Sequence, residues 1–104
     1  MLQLSHRLVA GAVRTGEIEC LSSDFDPADA AAGGLLDGAI TELRRAEVRL
    51  IVAEFPDSGD YLPFAGLLAS RNFQAETLIP DYFADGVAMR IATLRLAPEP
   101  HASP

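Results

Sequence analysis

Residues 30–34 read Ala-Ala-Ala-Gly-Gly, five positions without a functional side chain. A ligand resting on Ala30, Ala31, Ala32, Gly33 and Gly34 would touch bare backbone. The periodic apolar stretch that follows predicts a helix from Gly33 to Glu47, with its unpaired N–H groups and positive dipole end aimed at the same spot. Together these make an anion site suited to phosphate or diphosphate. The plainer reading is an alanine-rich connection into a surface helix, because a short glycine motif is weak evidence by itself.

The other groups able to do chemistry are few. Glu19 and Glu54 fall in stretches that read as neighbouring strands. A carboxylate so placed can take a proton or hold a water, although most strand carboxylates are simply solvated. Tyr61 and Tyr82 are the only tyrosines and sit at element ends, where the residue is usually a half-buried ring with a wet hydroxyl. Asp81, Asp85 and Gly86 read as turn residues, with amine binding as the alternative. Cys20 has no histidine placed to activate it and reads as a small buried apolar group. His6 and His101 stand near opposite ends, and with one cysteine they make no metal set.

The elements that must position these groups follow from periodicity. Arg7 to Arg14 and Glu17 to Phe25 read as strands of a hairpin around a Thr15-Gly16 turn. Leu35, Leu36, Ala39, Ile40 and Leu43 recur at helical spacing, opposite Asp37, Glu42, Arg44, Arg45 and Glu47. Val48 to Phe55 is a short branched-apolar strand. Asp60 is the expected N-cap of a second helix from Tyr61 to Arg71, with Pro63 in its first turn and Asn72 as the left-handed residue closing it. Phe73 to Ile79 and Val87 to Leu96 read as strands around the loop Pro80 to Gly86. The order is ββαβαββ, an α/β (α+β) mixed sheet with two helices packed on it.

The chain has 104 residues, 49% apolar and 22% charged, as in one small folded domain. Residues 1–97 form that domain and 98–104 a frayed proline-rich tail. A net charge of −7 argues against nucleic-acid binding. No apolar run approaches the roughly 20 residues of a spanning helix, so no membrane partner is expected. A lone cysteine and no recognisable signal peptide fit a cytoplasmic protein. All eight basic residues are arginines, and none falls between Pro27 and Gly34.

The run from Glu17 to Leu96 resembles the C-terminal portion of a GCN5-related N-acetyltransferase domain. Glu19 to Leu43, strand–Asp-Pro–small-residue loop–Leu-Leu–helix, is similar to that family's pyrophosphate loop and its helix. RLIVAEF (Arg49 to Phe55) is similar to the strand that splays from its neighbour to admit the cofactor. Asn72-Phe73, then a strand, then Ile79-Pro80-Asp81-Tyr82-Phe83, matches the closing hairpin with its tyrosine-containing loop. The resemblance implies acetyl-CoA as cosubstrate and direct attack by an amine. It implies cofactor contacts at Leu21, Ser22, Ser23 and Ala30 to Gly34, with Glu54 and Tyr82 as the candidate catalytic pair.

The family pattern is also incomplete here. Its usual tyrosine acid falls near Leu68, its phosphate loop normally carries a basic residue or glutamine, and its first strands and helices have no counterpart before Arg7. Three readings follow: an N-acetyltransferase acting on a small-molecule or peptide amine, a truncated or degenerate module, or a fragment of a longer domain. The second would act as a homodimer or with a partner protein covering an exposed sheet edge.

Overall fold

The computed structural model describes residues 2–9, 14–23, 25–26 and 29–96. Five strands and two helices run in the order β1 (Leu2–Val9), β2 (Thr15–Ser23), α1 (Ala30–Arg45), β3 (Leu50–Pro56), α2 (Leu62–Ser70), β4 (Gln74–Ala84) and β5 (Val87–Arg95). A 3₁₀ turn at Gly59–Tyr61 leads into α2. The strands form one mixed sheet ordered β1-β2-β3-β5-β4. Only β2 and β3 are parallel, because α1 is the crossover between them.

One face of the sheet carries the core. Ile18, Ile51, Ala53, Phe55 and Ala92 are buried with Leu36, Ile40 and Leu43 of α1 and Phe64 and Leu68 of α2. Phe55 and Phe64 meet edge to face, ring centroids 5.3 Å apart, the arrangement that suits two aromatic quadrupoles. Alternation along the strands sends Glu17, Glu19, Val52 and Glu54 to the opposite face. Gly16 lets α1 approach β2: a Cβ there would sit 2.8 Å from the methyls of the buried Leu43.

Both helices end in the same device. Glu47 and Asn72 have φ of 62° and 69°. The N–H of Val48 donates to the carbonyl of Leu43, and that of Phe73 to the carbonyl of Leu68. These are Schellman closures, each bringing a buried apolar residue back onto the helix it has just left. Asn72 is the left-handed residue expected; glutamate at the matching place after α1 was not foreseen.

Several boundaries differ from expectation, for physical reasons. The first strand is Leu2–Val9, since Leu2, Leu4 and Leu8 alternate with polar residues; Thr15 and Gly16 lie inside β2 and form no turn. Asp29 caps α1, its carboxylate accepting from the Ala31 N–H at 2.9 Å. The helix therefore starts at Ala30, and Ala30 to Gly34 form its first turn and not a loop. Gly33 takes the buried place expected for Leu35, which is exposed. Asp60 lies within the 3₁₀ turn and caps nothing; the residue before α2 is Tyr61, which makes no capping bond. The strand β4 continues through Pro80 to Ala84. The proline-rich tail lies outside the described residues, as does Pro27.

Candidate functional site

The parallel ladder between β2 and β3 is short. It runs from Thr15 opposite Leu50 to Glu19 opposite Glu54 and then stops. Beyond that rung, β2 keeps its bonds to β1 while β3 turns its remaining residues, Phe55 and Pro56, toward β5. The strands thus part at Cys20. One residue later β2 bulges: Leu4 faces Cys20 and Gln3 faces Ser22, leaving Leu21 without a rung. A bulge bends its strand and frees backbone groups from the ladder. The sequence-predicted Leu21, Ser22 and Ser23 all lie on this divergent arm, and Leu21 is exposed.

The first turn of α1 lies farther along the chain on the same β2–α1 connection. Ala30, Ala31 and Gly34 are exposed, while Ala32 and Gly33 are buried. The turn's donors are partly taken: Asp29 accepts from Ala31 N through its carboxylate and from Ala32 N through its carbonyl. Gly33 has a structural duty that the sequence did not reveal. A Cβ on it would stand 2.5 Å from Nη2 of Arg71, so the glycine makes room for a guanidinium laid across α1. Arg71 there forms a two-pronged pair with Asp37, Nε to Oδ1 at 3.0 Å and Nη2 to Oδ2 at 3.1 Å. Those hydrogen bonds, chiefly, hold the Asp37 carboxyl below its ordinary range and the Arg71 guanidinium above its own. The pair locks α1 to the end of α2.

On the helix-free face, a cavity of about 370 Å³ opens beside the last shared rung. Glu19, Glu54, Tyr82, Phe83 and Met89 line it, with Arg7 and Glu17 at its β1 side. Arg7 and Glu17 are bonded to each other at 2.6 Å, leaving Glu19 and Glu54 as the carboxylates toward the aromatic wall. That wall is a built feature. Between Ile79 and Ala84 the β4–β5 register breaks. Asp81 takes a φ of 55° and accepts from the Gly86 N–H at 2.7 Å, and Tyr82 packs edge to face on Phe83 at 5.0 Å. The structure thus gathers Tyr82 and Glu54, 28 residues apart in sequence, around one cavity.

Tyr61, by contrast, packs against the core on the helix side, and Leu68 is fully buried there. Cys20 is buried, as its type suggested. A larger apolar groove of about 430 Å³ between α2 and β4 is lined by Phe55, Leu68, Phe73 and Leu78. Its two charged groups are already engaged, Arg90 with Asp57 and Glu76 with the Thr93 hydroxyl. Among the described residues, no three histidine, cysteine, aspartate or glutamate side chains are gathered to hold a metal ion, and no helix is long and apolar enough to cross a membrane.

No family model and no curated protein matches the sequence. Solved structures do match. An acetyltransferase of the GNAT family from Desulfovibrio desulfuricans is 20% identical, with a TM-score of 0.68 over 80% of this chain and 54% of its own. An acetyltransferase from Salmonella typhimurium, solved with its cofactor acetyl-CoA, is 22% identical, with a TM-score of 0.67 over 86% of this chain and 51% of its own. The NatC complex bound to Gag peptide and CoA contains a chain that is 16% identical, with a TM-score of 0.69 and coverage of 90% and 60%. The chain thus spans between half and three-fifths of the length of these structures. Sheet order, the single parallel pair and its early parting agree with the resemblance read from the residues, and the protein has the fold of the GCN5-related N-acetyltransferases.

Proposed function

We propose that this chain binds acetyl-CoA and passes its acetyl group directly to an amine. The observation that carries the reading is the parting of β2 from β3 after the Glu19–Glu54 rung, with the bulge at Leu21 immediately beyond. Backbone groups released from the ladder at Leu21, Ser22 and Ser23 would pair with the amides of the pantetheine arm. An N–H there would also stabilise negative charge growing on the thioester oxygen. The first turn of α1, Ala30 to Gly34, would face the diphosphate.

The amine would enter from the cavity on the helix-free face. Glu54 would take a proton from the ammonium, and the free amine nitrogen would then bond to the thioester carbon. As the carbon–sulfur bond breaks, the Tyr82 hydroxyl would supply a proton to the departing thiolate. The protein would contribute positioning and proton transfer, with no covalent acyl-enzyme. Titration calorimetry with acetyl-CoA and with CoA tests the reading. Saturable binding of both is expected; absence of heat with folded protein would end it.

A second reading is favoured by two features. The Asp29 carboxylate sits on the N-terminus of α1, placing negative charge where a diphosphate would lie, and Leu68 stands where the family's tyrosine acid is expected. On this reading the chain is a non-catalytic module whose uncovered sheet edges are met by a second copy or a partner protein. The cellular compartment would be the cytoplasm. Turnover on a panel of amines separates the two readings.

A further inference from the structure

The sheet has two edge strands, β1 and β4, and they are finished differently. The strand β4 carries the devices that discourage edge pairing: Pro80 within it, the carboxylates of Glu76 and Asp81, a left-handed residue at Asp81 and a register break before Ala84. The strand β1, LQLSHRLV, has a register shift of its own at Gln3 and Leu4, but it has no proline, no glycine, no acidic residue and no left-handed residue. It does so in a chain with 15 acidic residues and a net charge of −7. Among the described residues, its outer edge has no strand partner. Register with β2 places Leu4, His6 and Leu8 on the helix side and Ser5 and Arg7 on the other. Leu8 is 52% exposed.

We infer that β1 is the meeting edge of two copies of this chain, paired antiparallel about a two-fold axis at His6. A symmetric pair must be antiparallel and self-complementary. In this register Leu4 faces Leu8 of the second copy, twice, on the helix side. Ser5 faces Arg7 of the second copy on the other side, and no carboxylate of either β1 is brought toward its twin. Each Arg7 on that side is neutralised by its own Glu17, so an acidic chain meets little like-charge repulsion from the strand pair itself. The inference deepens the assembly reading by choosing both the edge and the occupant, and it does not depend on acetyl transfer.

Sedimentation equilibrium of the intact chain tests it, with far-UV circular dichroism confirming folding of each variant. A dimer is expected at micromolar concentration. Leu8→Glu, an exposed position, should weaken it by about tenfold or more, while Leu78→Glu on β4 leaves it unchanged. On mild oxidation His6→Cys should give a covalent dimer and Leu78→Cys should not. A monomer up to about 100 µM overturns this inference and the second-copy form of the assembly reading, leaving a partner protein as its remaining form. A dimer indifferent to Leu8→Glu, or broken by Leu78→Glu, overturns this inference alone.

Discussion

Glu19 and Glu54 are direct cross-strand partners on the last rung that β2 and β3 share. Two like charges opposite one another weaken a sheet, and here they stand where the strands separate and the cavity begins. Glu54→Gln should therefore raise stability by about 0.2–1 kcal/mol in urea unfolding. The same variant should lower amine acetylation by about 10²–10⁴-fold if Glu54 is the base. A variant that is more stable and equally active would leave Glu54 as a solvated strand residue.

The cap of α1 gives a test of diphosphate binding. Asp29→Ser keeps an oxygen for the Ala31 N–H and removes the negative charge. Serine caps about as well as aspartate, so the unfolding midpoint should hardly move. Affinity for CoA, by calorimetry, should rise by about two- to fivefold, the range of one charge near a helix end. Unchanged affinity would place the diphosphate elsewhere.

Three glycines inside α1 should respond differently to alanine. Gly34 and Gly38 have open space where a Cβ would go. Each substitution should stabilise by about 0.5–1 kcal/mol, because glycine loses the most backbone freedom in a helix. Gly33→Ala would push the Arg71 guanidinium off Asp37, so its helical gain should be largely cancelled. Thermal melts of the three single variants make the comparison.

The Arg71–Asp37 pair predicts an acid dependence. Its hydrogen bonds hold the Asp37 carboxyl below the ordinary value, so the unfolded chain binds the proton more readily. The pair's contribution is complete above the unfolded-state value of about 3.9 and is lost as pH falls through the lower folded-state value. Asp37 is 56% exposed in this pair, so solvent screening keeps the effect below about 1 kcal/mol. Arg71→Gln should lower the urea midpoint near neutrality, and the gap from the parent protein should close in acid.

Much of this fold was readable from residue order. The spacing of Leu36, Ala39, Ile40 and Leu43 marked α1, the branched-apolar run after Glu47 marked β3, and Asn72 marked the end of α2. These are local signals: periodicity, propensity and a residue tolerant of positive φ. They misplaced β1 and the start of α1, since Thr15-Gly16 resembles a turn and Gly33-Gly34 a loop. Tertiary packing overrode both, Gly16 admitting Leu43 and Gly33 admitting Arg71.

The sequence alone determined the order of elements and an acidic chain without lysine. Only the tertiary structure decided where β2 leaves β3, that Asp29 occupies the helix end, and that Tyr82, Glu19 and Glu54 share a cavity. The physical reason is range. Helix and strand preferences act over a few residues, whereas ladder length and cavity walls depend on groups brought together by packing from distant parts of the chain.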